Sequence, residues 1–524
     1  MPGDTVTEQK APDNRGRLRR ELTLLALVAT AVCTVIGGGI NVLTVEIQQK
    51  IPGIAGMVPW AFALGVVPAV FAALCYGVIS SAMPRAGGDY VYISRGLHPF
   101  VGFIATVSKW FALAAACGVI AYMDVALLKA AAMYADLSGV AAWLETPTAT
   151  LLLPLAMIWL FWFLNIIGVR EYGWTVIVLM VLMLIGGLVV IAYGFLTSPE
   201  VGRQMIMAGD WELTESAPPP GGFAELISAV SVLFFAYIGF ASVSQAGGEC
   251  RNPSQLLPKA FLLSMTIICG YYVLFSAAVY HAIPWELTAR IAPGTDLSVP
   301  EIMGAIMPQS LAVFVALMAA VALANDLPPM LMSISRLFFA WSEDGIFPRS
   351  MAAVNSRFST PHWALTASAI AASIIAIGCN LHGFFKGIDL VVIGLCFTYG
   401  LVAVSVITLP RRNRRLYETI TFMRNRTAQV IVSVIAVLTI GVLLYSQIVA
   451  DLQGMVDRLA AATQGDGTVV MAVLSSNVVL WFIVMAVGAA IFAYLWNARK
   501  QAGENPNEVF MTLPAESEQC DPLQ

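Results

Sequence analysis

Twelve long apolar runs, separated by short polar segments, set the pattern of the chain. They lie near 23–48, 56–83, 101–134, 148–168, 173–196, 223–248, 258–282, 310–340, 362–380, 387–409, 428–449 and 470–496, numbered below as spans 1 to 12. Each is long enough to cross about 30 Å of hydrocarbon as a helix. The pattern predicts an all-α polytopic membrane protein with about 12 transmembrane helices. Residues 1–22 are polar and do not read as a cleavable signal: the apolar run behind them is too long, and no small-residue cleavage site ends it. The loops at 197–222 and 283–309 are Pro-rich and too short for a catalytic domain. The polar stretch 501–524 reads as a disordered tail.

Composition agrees with the pattern and narrows the function classes. Of 524 residues, 59% are hydrophobic and 11% charged, with mean hydropathy +0.80. A soluble domain carries about 25% charge. This excludes a soluble enzyme, a disordered chain and a nucleic-acid binder, and leaves the lipid bilayer as the solvent. Placing the N-terminus in the cytoplasm puts 22 of the 28 Lys and Arg on the inner side, as the positive-inside rule expects. Both termini are then cytoplasmic, in a plasma (inner) membrane. Six of the eight cysteines sit in apolar runs, while Cys250 and Cys520 lie in polar segments. Neither they nor the four histidines have zinc or disulfide spacing. No metal or cofactor is expected, and no HExxH or GxSxG motif points to an enzyme.

Two runs are interrupted at mid-depth. Span 1 contains Val35-Ile36-Gly37-Gly38-Gly39-Ile40-Asn41. Each glycine costs about 1 kcal/mol in a helix relative to Ala. Close helix packing would use such residues. A discontinuous helix would use them differently, opening free amides to an anionic group beside a cavity. Span 6 contains Phe234-Phe235-Ala236-Tyr237-Ile238-Gly239-Phe240-Ala241-Ser242. Interruptions at corresponding places in two halves point to a midplane binding site.

These residues resemble the amino acid–polyamine–organocation (APC) permease family. VIGGGI resembles its span 1 glycine motif, and FFAYIGFASVSQAGGECRNPSQLLPKA, from Phe234 to Ala260, resembles its span 6 and the loop that follows. Ala82–Tyr90 resembles the family's P-x-x-GG-x-Y loop. Ser335-Arg336 with Glu343–Pro348 resembles the end of its span 8. The resemblance implies a LeuT-like fold: a 5+5 inverted repeat plus two C-terminal helices, with helices 1 and 6 discontinuous. The chain then divides into a tail 1–22, repeats 23–196 and 223–409 around the outer loop 197–222, a basic loop 410–427, spans 11–12 at 428–496 and a tail 497–524. It also implies a small-molecule substrate, amino acid or amine, moved by alternating access. The substrate carboxylate would sit on the amides of Gly37, Gly38 and Gly39. Its ammonium would sit on the carbonyls of Val35, Phe235 and Ile238, with Gly239, Ala241 and Met330 on the walls.

Several residues depart from that pattern. Ala241 stands where many members carry an acid after the Gly-aromatic pair. Met183 stands where proton-coupled members carry a span 5 lysine, and Pro329-Met330 supply no hydroxyl for the alternative sodium site. Ser333 and Ser335 lie close by, so the coupling ion, H+ or Na+, stays open, as does transport with no ion. Asn41 replaces an apolar residue: its amide reads either as a substrate contact or as an interhelical hydrogen bond. Asp124 in span 3 and Asp326 in span 8 are charges where charge is expensive. They read as cation-binding or proton-carrying groups, or else as groups paired with Lys129 or buried near the outer headgroups. Arg336 is expected to neutralise a gate acid or an anionic lipid, Glu46 to face the outer vestibule, and Pro328-Pro329 to break span 8. Four readings result: an amino acid transporter first, then a polyamine or organic-amine permease, a membrane enzyme, and a transporter-shaped sensor. A monomer or a homodimer suits the first two.

Overall fold

The computed structural model describes residues 18–209, 211–291, 298–382, 387–463, 469–501 and 510–513. Lys10, Arg15, Arg17, Lys386 and Cys520 lie outside them. Among the described residues, 12 helices are long and apolar enough to cross a membrane, from Leu24–Lys50 to Asn477–Gln501. Span 12 starts later than the apolar pattern suggested, because Val469–Leu474 forms a separate short helix before Asn477.

Spans 1 and 6 are both broken. Span 1 runs as Leu24–Val35 and Gly38–Lys50, with Ile36 and Gly37 outside either helix. Span 6 runs helical over Phe223–Leu233, tightens into a 3-10 turn over Phe234–Tyr237, and resumes at Ser242–Gln245. Span 8 breaks as well, between Gln309–Ala324 and Leu327–Glu343. Pro328 and Pro329 fall in the first turn of its second half, where a missing amide costs little. The break therefore lies just before the two prolines, at Asn325 and Asp326. Span 3, Pro99–Tyr134, packs along the first half of span 8 and along spans 9 and 10.

The described segments nearest the two termini, around Leu22 and Phe510, lie on one face of the bundle, and buried ion pairs link the helices there. Arg336 donates to both carboxylate oxygens of Glu249, at 2.6 and 3.2 Å. Arg95, from the helix Gly88–Gly96, grips Asp344 at 2.5 and 2.8 Å. Lys109 of span 3, Gln245 of span 6 and Tyr76 of span 2 all donate to Asp89. All six paired side chains are 2% exposed or less. Lys109, Arg95 and Arg336 are thus buried structural charges as well as members of the basic side. The glycine loop makes this closeness possible: a Cβ on Gly87 would run into Ala340, and one on Gly88 would meet the Ser244 carbonyl at 2.5 Å.

Two segments on this face are packed more closely than their polar sequence suggested. Cys250 is buried, because Leu22 donates to the Glu249 carbonyl and Arg251 to that of Leu22, laying the N-terminal segment across it. Burial pushes the Cys250 thiol up to about 12, with Arg20 pulling weakly the other way. The C-terminal tail is also not wholly free. Phe510 is 3% exposed and stacks on Trp496, with the Arg95 guanidinium 5.3 Å from its ring centroid. Asn413 donates to the Met511 carbonyl at 3.0 Å.

Candidate substrate site at the broken helices

The breaks in spans 1 and 6 meet. Gly39 faces Ala236, and a Cβ on Gly39 would lie only 3.4 Å from the Ala236 Cα. Gly239 has φ +126°, and a side chain there would strike the Thr34 carbonyl. Only glycine fits both that backbone and that contact. The Gly239 amide donates to the Tyr399 hydroxyl at 3.1 Å. Thr34 and Ser242 join the two breaks by a hydroxyl–hydroxyl bond of 2.9 Å.

The amides and carbonyls read from the sequence fare differently. Among the described residues, no acceptor outside their own helix meets the amides of Gly37, Gly38 or Gly39. Gly38, Gly39 and Asn41 are half-buried. The Val35 carbonyl already takes the Tyr272 hydroxyl at 2.6 Å, and the same hydroxyl lies 2.7 Å from the Ala236 carbonyl. The Phe235 carbonyl takes the Ile238 amide at 3.1 Å. The Ile238 carbonyl takes no donor among the described residues. Ala241 and Met330 are buried. Asn41 donates to the Gly37 carbonyl at 3.2 Å, a bond within its own helix end rather than between helices.

Asp326 reaches the span 1 break from span 8. Its carboxylate covers Gly37 so closely that a Cβ on Gly37 would land on it. Asp326 is 6% exposed and Asp124 2%, and one oxygen of each has no hydrogen-bond partner. Lys129 does not reach Asp124; it pairs with Glu145 at 2.5 Å. Asn325 donates to the Met183 sulfur at 3.1 Å, which puts Met183 beside the span 8 break. Arg336 pairs with an acid, Glu249, and lies away from this site on the face with the termini. Glu46 pairs with Lys50 at 3.2 Å on the opposite face.

Sequence reasoning missed Tyr272, which bridges both breaks from span 7. It also missed Asp89 as the hub of the closed face, although Asp89 stands inside the glycine loop after span 2. Tyr272 carried no signal beyond a hydroxyl within an apolar run.

A family model described as amino acid permease matches residues 22–473. The chain belongs to the amino acid permease family. Similar proteins include cationic amino acid transporter 4 of Mus musculus, 24% identical over 75% of this chain and 60% of that protein. The branched-chain amino acid permease BcaP of Bacillus subtilis is 26% identical over 75% of this chain and 82% of its own length. The methylthioribose transporter of the same organism is 26% identical over 79% and 85%. The chain spans 60% of the length of the mouse and human cationic amino acid transporter 4 proteins it matches. This permease is therefore a multi-pass membrane protein of a transporter family.

Proposed function

We propose that this permease is a secondary transporter that moves amino acids or closely related amines by alternating access, with the substrate held where spans 1 and 6 break. One observation carries the reading: amides at Gly37–Gly39 and a carbonyl at Ile238, without partners outside their own helix among the described residues, lie at the meeting of two interrupted helices. Orphan amides favour an anionic group, and orphan carbonyls favour a cation. Val35, Phe235, Gly239, Ala241, Asn41 and Met330 shape the walls around them, and Asp124 and Asp326 take cationic charge. Membership of the amino acid permease family supports transport rather than catalysis.

The buried pairs on the face with the termini support an outward-facing stage of the cycle. In this reading the face with both termini is cytoplasmic, which the 22 of 28 basic residues support. Spans 1–5 and 6–10 act as the two repeats. The membrane is the plasma membrane, and the protein works as a monomer or a homodimer.

A second reading, an organic-amine permease, is favoured by Asp326 at Gly37. Uptake of labelled substrates into proteoliposomes, run as a panel with and without pH and sodium gradients, tests the function. Accumulation of any amino acid or amine is expected; none from either panel contradicts it.

A further inference from the structure

The segment 510–513 lies beyond the last span and beyond the residues that match the permease family, which end at 473. It is nevertheless built into the face that carries the termini. Phe510 is 3% exposed, whereas its neighbour Met511 is 47% exposed. The Phe510 ring extends an aromatic row that begins in span 3. Ring centroids lie 5.7 Å apart between Phe103 and Phe492, 5.3 Å between Phe492 and Trp496, and 6.2 Å between Trp496 and Phe510. Phe510 also lines a groove with Gly345 and Ile346, just after span 8, and with Trp496 and Arg499 of span 12. Leu513 packs against the core at the other end of the segment.

Two carbonyls of the segment are held by side chains. Arg95 Nε donates to the Thr512 carbonyl at 3.2 Å, and Asn413, at the end of span 10, donates to the Met511 carbonyl at 3.0 Å. The Arg95 guanidinium also stands 5.3 Å from the Phe510 ring centroid, within cation–π range. The same guanidinium grips Asp344 at 2.5 and 2.8 Å. One short segment therefore touches the helix Gly88–Gly96, the end of span 10 and span 12 together. Through Arg95 it backs the joint to Asp344 at the end of span 8. Being tethered to span 12, it needs little intrinsic affinity to stay docked, because its effective concentration is high.

We propose that residues 510–513 are a strap that holds the face with the termini shut and so acts as a brake on transport. Alternating access opens this face in turn, and the elements that carry Arg95, Asn413 and Trp496 are tied together while the strap is docked. Undocked, the segment releases them. The effect on rate rests on the transport reading; the effect on closure does not. Phe510 is the anchor. Met511 and Thr512 are held by their backbone, so their side chains are interchangeable.

Four variants test this against the full-length protein: a chain ending at Val509, Phe510→Ala, Phe510→Trp and Met511→Ala. Initial uptake of labelled leucine and lysine into proteoliposomes reads the rate. Maleimide labelling of Cys250 in detergent, in a Cys520→Ser background, reads closure. Cys379, buried near the far end of span 9, is the control. Losing a buried aromatic anchor shifts a docked–free balance by about tenfold or more. Cys250 labelling is therefore expected to rise about tenfold in Phe510→Ala and in the shortened chain, with Cys379 unchanged and uptake faster. Phe510→Trp keeps a stacking ring and Met511→Ala keeps the carbonyl, so both are expected to behave as wild type. Unchanged Cys250 labelling in the shortened chain overturns the strap. A rise at Cys379 in step with Cys250 also overturns it, since that marks general loosening. Raised Cys250 labelling without faster uptake, in a protein that takes up either probe, overturns the brake. If no form takes up leucine or lysine, transport of these probes fails, and Cys250 labelling still decides whether the segment holds the face shut. Should the shortened chain not fold, Phe510→Ala decides.

Discussion

On the face that carries the termini, Arg336–Glu249, Arg95–Asp344 and Lys109–Asp89 pair at 2% exposure or less. On the opposite face, Glu46–Lys50 and Lys129–Glu145 pair in the open, with side chains 31–57% exposed. Between the two lie Asp124 and Asp326, buried like the first group and without a basic partner among the described residues. A buried ion pair costs desolvation, and breaking it leaves a stranded charge, so such pairs act as fixed joints. An exposed pair is weak and yields readily. The contrast is in how the charges are held: one end is joined by buried pairs, the other by exposed ones, and the two acids between them have neither.

The largest expected effect comes from removing one joint. Arg336→Ala strands Glu249 and is expected to cost about 3–5 kcal/mol, read as a lowered unfolding midpoint. Arg336→Lys is expected to recover only part of this, because a lysine cannot make the two-pronged contact. Cys250, under the same joint, is a sharper local reporter. Its thiol, held at about 12, stays protonated and resists maleimide at neutral pH. Labelling of Cys250 is expected to rise when Arg336 is replaced, and unchanged labelling would show that the pair does not close this face.

Gly239→Ala tests the middle. With φ at +126° and the Thr34 carbonyl in the way, alanine is expected to cost about 1–3 kcal/mol in backbone strain and to lower transport more than stability. Tyr272→Phe is expected to cost about 1–3 kcal/mol by leaving the Val35 and Ala236 carbonyls short of a donor. Uptake kinetics separate its effect on substrate binding from its effect on turnover. Lys50→Ala, which breaks only an exposed pair, is expected to change stability by less than about 1 kcal/mol. A loss there as large as that for Arg336→Ala would dissolve the contrast between the faces.

The fold was legible because lipid demands long apolar helices, and because Gly37–Gly39 and Gly239 interrupt them where helix cannot continue cheaply. Pro328 and Pro329 marked the span 8 break to within a few residues. The pairings were not legible. Counting basic residues by side gives a topology but says nothing of partners, so Lys109 and Arg95 counted only toward the inner side, while they are buried against Asp89 and Asp344. Phe510 lay in a polar tail whose composition hid one docking aromatic. The contact of Asp326 with Gly37 joins spans far apart in sequence. The glycine motif alone therefore suggested a bare anion site, where the fold supplies a carboxylate of its own.

Initial uptake of labelled amino acids and amines into proteoliposomes, compared between wild type and Gly239→Ala, tests most directly that substrate sits where spans 1 and 6 break. Uptake by the wild type and a kcat/KM lowered about tenfold or more in a folded variant are expected. Unchanged uptake in the variant, or none of any amino acid or amine by the wild type, would contradict it.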